Sequence, residues 1–447
     1  MSPTHLTTER VLSDRIACVR VLCIVGMIYV HVPGMPEGVA RVLDPSSPFA
    51  SMQAFIVESF GRASAALLSV LSGWLCGLML VGASIGSPTV RGARPVDKGV
   101  ALSQIQRRVQ STIVPMIFWA SVTMVVYAAV SLVRPTFLAP LGDTLVVTLW
   151  RYVNTLVFLT EVPHGPTMHL SFLRDLFVCF VLAPVLLMVL RRHALPLVVA
   201  IGILYLADGS SALMLRPLIL FAFTLGLWAA VRGVSPTALD GTTGRWAVLT
   251  CLSAVGILMA NAGHMDGVNR ALVVVGLDLR ESVLYPLARL FGSLSVWCFA
   301  AYVVRKPLGR LLSRQMPWLF ATFCSHFLVL SLLYHGAWLP LTGSVESGPL
   351  FFLWFLCAPV VSLAVAYAGL RLVDRWFPGL APIMGSGFGR RPGGRGSRVP
   401  TVALPTSIAS TARSVGSRTA PLAPVRAATA SARDRALPSR ASAKAPV

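Results

Sequence analysis

Residues 15–31 read RIACVRVLCIVGMIYVH, and this stretch decides the fold. Between Arg15 and His31 every residue except Arg20 is apolar or small. A hydrocarbon core about 30 Å thick needs about 20 such residues in a helix, so the run and its flanks make a candidate span at 16–33. A cleaved signal peptide fits less well, because Arg20 interrupts the start of the run and His31-Val32-Pro33-Gly34 is no small-residue cleavage site. The N-terminus is therefore expected to stay attached.

The rest of the chain has the same character. It is 447 residues long, 55% hydrophobic and only 12% charged, with a mean hydropathy of +0.74. A soluble domain carries about twice that share of charge, so an ordinary soluble enzyme, a disordered protein and a coiled coil are all excluded. Nine further apolar runs are candidate spans, near 55–82, 110–133, 169–190, 194–208, 211–231, 246–262, 282–304, 318–340 and 348–371. The expected fold is an all-α membrane protein of about ten transmembrane helices.

Charge tests that count. The chain holds 38 Lys plus Arg against 17 Asp plus Glu, a formal net charge of +21. In a soluble protein this would suggest nucleic acid; in a membrane protein cations first report orientation. One set of connections holds Arg91, Arg94, Lys98, Arg107, Arg108, Arg191, Arg192, Arg232, Arg245, Arg305, Lys306, Arg310 and Arg314. The other holds Arg41, Arg134, Arg151, Arg270 and Arg280 beside Glu37, Asp44, Asp143, Glu161, Asp208, Asp266, Asp278, Glu281 and Glu346. That segregation is what ten spans with both termini cytoplasmic require. The domains expected are a short cytoplasmic N-terminus at 1–14, a membrane domain at 15–375 and a Gly, Arg, Ala, Pro and Ser-rich tail at 385–447. The tail has eleven cations and one acid, Asp434, and too little apolar surface to offset the entropy of ordering. It is expected to be disordered and held near anionic lipid headgroups. The eight cysteines lie in apolar runs without metal-ligand spacing and read as small core residues.

An ionisable side chain inside a span is costly enough to be a functional candidate. Arg20 and His31 lie eleven positions apart, which at about 100° each is about 20° past three turns, with about 16 Å of rise. They share one helix face, the cation toward the cytoplasm and the imidazole near the outer edge. Glu58 and Arg62 are spaced as a helix salt pair. Arg174 adjoins Asp175, while Arg216 and Arg289 either snorkel or line an acceptor cavity. His326 sits beside Ser325 in the ninth run. His164, His169, His264 and His335 all fall on the outer side, and their spacing is no metal motif. No metal site is expected.

These residues carry a resemblance. The first run, with its basic residue, ten intervening residues and histidine, resembles the first helix of the acyltransferase-3 family of integral-membrane O-acyltransferases. Phe60-Gly61-Arg62 through Ser72-Gly73-Trp74-Leu75 is similar to the family's second helix, and Arg107-Arg108 followed by Pro115 to the basic start of its third. His169-Leu170-Ser171-Phe172-Leu173-Arg174-Asp175 is similar to the start of its fourth, where a Trp is more usual than Ser171. Two departures stand out: Arg107 and Arg108 are adjacent where the family has two residues between its cations, and Ala17 stands where an acid is common.

The resemblance implies transfer of an acyl group, most often acetyl, from cytoplasmic acyl-CoA to a hydroxyl of an extracytoplasmic polysaccharide or lipid-linked glycan. His31 and Arg20 are then the expected catalytic residues. A neutral imidazole, with an unperturbed pKa near 6.5, takes the hydroxyl proton. A covalent acyl-histidine is the variant of that role. Arg20 polarises the thioester carbonyl or holds the donor, and Arg107 and Arg108 pair with CoA phosphates or serve as ordinary positive-inside anchors. Arg62, Glu58, Arg174 and His326 are the expected acceptor-binding residues, and Leu141 to Thr160 an interfacial part of the acceptor site. Expected partners are membrane lipid, the carbohydrate or glycolipid acceptor and other polysaccharide-assembly proteins, with no nucleic acid, in a bacterial cytoplasmic membrane. The alternative class is a transporter or flippase of glycan precursors, for which intramembrane Arg and His make a polar pathway. No internal repeat favours it.

Overall fold

The computed structural model describes residues 3–33, 48–82, 98–134, 145–157, 167–207, 214–261, 264–274, 278–313, 316–342, 348–380 and 383–385. All regular structure among them is helical. The helices are α1 Pro3–Val30, α2 Pro48–Val81, α3 Ala101–Val133, α4 Leu145–Val157, α5 Met168–Leu206 and α6 Pro217–Val231. They continue as α7 Thr243–Asn261, α8 Asp266–Val273, α9 Leu279–Val303, α10 Pro307–Ser313, α11 Trp318–Thr342 and α12 Pro349–Trp376. Six of them, α2, α3, α5, α9, α11 and α12, are long and apolar enough to cross a membrane, and each overlaps an expected span. Two shorter apolar helices, α6 and the Thr243–Ile257 part of α7, accompany them. α1 is not among the six, since Asp14, Arg15 and Arg20 all fall within it. The tail at 385–447 lies outside the described residues except for Gly385.

The expected spans 169–190 and 194–208 form one helical run folded at His193, whose φ of −134° and ψ of 53° are not helical. Straight, its 36-residue part from Ser171 to Leu206 is about 54 Å long, well beyond the thickness of a bilayer core. The break at His193 falls between the two expected runs, beside Arg191 and Arg192. The expected interfacial stretch contains α4, which turns Val146, Trp150 and Val153 outward while Asn154 is buried and Tyr152 shares a 2.8 Å hydrogen bond with Ser121 of α3.

α1 lies at the centre, touching α2, α9, α10, α11 and α12. Lipid tails are as apolar as leucine, so helices in a membrane associate through close packing of small residues rather than through the hydrophobic effect. The α1–α2 crossing follows that rule: a Cβ on Gly26 would overlap the Ser64 hydroxyl, and one on Gly61 would come within 2.6 Å of a Val30 methyl and 3.0 Å of the Gly26 carbonyl oxygen. This brings α2 against the last turn of α1, just before His31. α2 packs as tightly on α6, where Gly73 meets the Phe223 carbonyl and Gly226 meets the Val70 carbonyl. Ser293 of α9 donates 2.8 Å to the Ala63 carbonyl of α2. Of the cysteines, Cys251 and Cys357 are exposed on the outside of the bundle rather than in its core; the other six are buried.

The basic end is closed by a side chain that the sequence did not single out. Arg15 is 3% exposed, pairs with Asp240 at 2.8 Å, donates to the Trp297 carbonyl at 3.0 Å, and lies 4.0 Å above the Trp297 ring. Trp297 in turn donates 3.0 Å to the Pro236 carbonyl, so the α6–α7 connection is clamped against α1 and α9. Arg15→Ala removes a charge-assisted bond and a cation–π contact together and is expected to lower stability by about 2 kcal/mol. Thermal unfolding of the detergent-solubilised protein checks this; an unchanged midpoint overturns it.

Candidate functional site

α1 ends at Val30, and His31 follows in a turn with its N–H on the Ile28 carbonyl at 3.0 Å. The imidazole is 8% exposed and sits against two fully buried histidines. His326 of α11 lies 5.5 Å from it between ring centroids and His169 at the start of α5 lies 6.1 Å away, while His169 and His326 are 4.9 Å apart. Phe327 closes the group, edge-on to His31 at 6.2 Å and stacked on His169 at 5.6 Å. Three imidazoles from three separate helices thus form one buried cluster. Among the described residues no group of His, Cys, Asp or Glu is disposed to hold a metal ion.

Charged side chains from α2 and from the residue before α6 lie within electrostatic reach of the cluster, and one from α9 pairs with α2. α2 loosens into π-helical geometry at Ile56–Arg62, the type of irregularity that recurs at functional sites. Within it buried Glu58 pairs with Arg62 at 2.7 Å, the spacing expected from sequence, and also with Arg289 of α9 at 3.4 Å. Arg62 and Arg216 lie within electrostatic reach of His31. Arg174 is bound at 2.6 Å to Asp175, and Asp175 also accepts the backbone N–H of Arg216 at 3.0 Å. Asp175 thereby holds the start of α6, and Arg174 serves that carboxylate.

Arg20 lies near the middle of the same helix, about three turns before His31. It is half-buried, and Arg108 in α3 lies within electrostatic reach of it. Neither arginine has a carboxylate partner among the described residues. Arg108 lies 4.2 Å above the Phe180 ring and lines a pocket with Cys76, Leu80, Gln104, Ile105 and Pro184. Its neighbour Arg107 is exposed. Successive helix residues diverge by about 100°, so only one member of the adjacent pair can enter the pocket.

The sequence candidates therefore fall into two groups along α1. His31, Arg62, Glu58 and His326 gather beyond its C-terminal end, with Arg174 paired to Asp175, and Arg20 and Arg108 lie about three turns lower at mid-helix, while Arg107 stands apart. His169 is the member that sequence reasoning treated as merely one of several outward histidines. The motif that opens with His169 resembles the start of the family's fourth helix, but its link to His31 and His326 joins segments distant in sequence, and no local pattern gives that meeting.

The family described as "Acyltransferase domain" matches residues 14–371. The chain is also 28% identical over 384 residues to the "Succinoglycan biosynthesis protein ExoH" of Rhizobium meliloti (strain 1021), covering 83% of this chain and 91% of that protein. No solved structure matches it significantly. The match takes in α1 from Asp14 onward, both groups of site residues and most of α12, and the chain accordingly belongs to the acyltransferase-3 family of membrane O-acyltransferases.

Proposed function

We propose that the protein transfers an acyl group, acetyl in the first instance, from acyl-CoA at its basic end to a hydroxyl of a polysaccharide or lipid-linked glycan at the opposite end. It does so in a bacterial cytoplasmic membrane, with ten spans and both termini on the CoA side. The observation that carries this reading is α1 itself, which leads into a histidine packed in a buried imidazole cluster and, about three turns earlier at mid-helix, carries an arginine within electrostatic reach of Arg108. The name of the similar Rhizobium protein, which refers to succinoglycan biosynthesis, supports a polysaccharide acceptor.

The chemistry follows from the residue types. His31 takes the hydroxyl proton as the oxygen attacks the thioester carbonyl. The C–O bond forms, the C–S bond breaks, and the CoA thiolate recovers a proton. The two arginines near the pocket suit the phosphates of CoA, and its pantetheine arm is long enough to carry the thioester along α1 toward His31. Arg62 and Glu58 supply hydrogen-bonding groups for a polar acceptor, Arg174 acts through Asp175, and α4, which packs on α3, serves as an interfacial part of the acceptor site. An acyl-histidine intermediate is the variant of this step.

Mass analysis of surface and lipid-linked glycans from cells with and without the gene tests the reading. Loss of an ester mass from one glycan is expected. Unchanged esters with impaired glycan export overturn it in favour of transport. A kinetic prediction divides the adjacent arginines: Arg108→Ala is expected to raise KM for acyl-CoA by about tenfold or more, the worth of a charge-assisted contact, and Arg107→Ala to stay within about twofold. Arg20→Ala is expected to impair donor use in the same sense. Initial rates in membrane vesicles over a range of acetyl-CoA concentrations check this, and equal effects at 107 and 108 would overturn the assignment of the pocket.

A further inference from the structure

To take a proton from a hydroxyl, His31 must present a bare ring nitrogen, and its tautomer is set by what the other nitrogen meets. His31 Nδ1 is buried with no hydrogen-bond partner among the described residues. His169 Nε2 is 2.8 Å from the Cys324 carbonyl oxygen, and His326 Nδ1 is bonded to the Phe323 carbonyl oxygen. A carbonyl oxygen only accepts, so each of these nitrogens carries the proton of its neutral ring and the opposite nitrogen is a bare lone pair. Those bare nitrogens, His169 Nδ1 and His326 Nε2, are likewise buried without a partner among the described residues. Two backbone carbonyls have thus fixed two imidazoles as acceptors beside a third whose Nδ1 needs one. Buried polar atoms are rarely left unpaired, and a donating His31 Nδ1–H is the arrangement that satisfies both sides.

We propose that His326, with His169 packed against it, is the hydrogen-bond acceptor for His31 Nδ1–H across one bridging water, and so holds His31 in the tautomer whose bare Nε2 takes the acceptor hydroxyl proton. The inference rests on the acyl-transfer reading above and adds a positioning residue to it. The hydroxyl proton passes to His31 Nε2 as the ester C–O bond forms, the thioester C–S bond breaks, and the thiolate takes that proton back from Nε2. His31 returns to its starting tautomer, and His326 and His169 undergo no covalent change.

The shape of the two amide side chains gives the test. His326→Asn keeps an N–H at the Nδ1 position for the Phe323 carbonyl and removes the acceptor at Nε2, whereas His326→Gln returns an amide oxygen to the Nε2 position. Each variant is returned to cells lacking the gene, and transfer from radiolabelled acetyl-CoA to endogenous glycan is followed in their membranes. His326→Asn is expected to lower kcat by about 30-fold or more, with KM for acetyl-CoA within about twofold, and His326→Gln to recover to within about fivefold of wild type. Membrane abundance and the unfolding midpoint stay unchanged. An Asn variant at wild-type kcat, equal loss in Asn and Gln, or a loss that follows abundance overturns the inference. A wild-type chain that transfers no acetyl instead overturns the reading beneath it, and the inference with it.

Discussion

His31→Ala is expected to lower acyl transfer by about 10²- to 10⁴-fold, the contribution of a positioned general base, while the protein accumulates in the membrane at its normal level. Three features separate the chemical effect from a folding effect. His31 follows the last helical residue of α1, so no helix interior is disturbed. The interaction of its Nδ1 that truncation removes is the one proposed with His326, whose own bond to the Phe323 carbonyl is untouched. The crossing that places it is made by Gly26, Gly61 and Val30, none of which the substitution touches. Ester formation on glycan and immunoblotting of the same membranes provide the measurement. Full activity in the variant removes His31 from the mechanism, and a parallel fall in abundance makes its role structural.

Gly226→Ala is expected to be nearly as severe by a different route, with a loss of about 3 kcal/mol or more in stability and a several-fold fall in membrane abundance. A single added carbon at 226 would overlap the Val70 carbonyl and stand 2.7 Å from the Trp74 backbone nitrogen. Both obstacles are backbone, and the facing helix is held in turn by Gly73 against the Phe223 carbonyl, so neither side can yield by rotating a side chain. Gly244→Ala is the control, because a Cβ there meets nothing within 4 Å. Thermal unfolding of the two solubilised variants beside wild type decides the matter. Equal midpoints would mean that α2 and α6 do not approach as closely as described.

Much of the fold was legible because each feature is local. The six long apolar helices coincide with runs of residues that any hydropathy count finds, and Glu58 with Arg62 needs only helical periodicity to be paired. Adjacent Arg174 and Asp175 also pair as the sequence suggests, yet the second task of Asp175, holding the Arg216 N–H, joins residues 41 apart and has no signature. Arg107 and Arg108 must diverge on a helix, but their order alone cannot say which enters the pocket. Nothing in the local sequence ties Arg15 to Asp240 and Trp297, which lie 225 and 282 residues away.

By itself the sequence determined where apolar segments run, where the intramembrane charges fall on them and, through the order of its motifs, the family. Those properties sum residue by residue along one segment, because transfer from water to hydrocarbon is nearly additive. The tertiary structure decided that His31, His169 and His326 meet and that Arg20 faces Arg108. Such meetings depend on how each helix is rotated and how closely it approaches its neighbours. In lipid these are set by contacts between small residues of different helices, such as Gly26 with Ser64 and Gly226 with Val70.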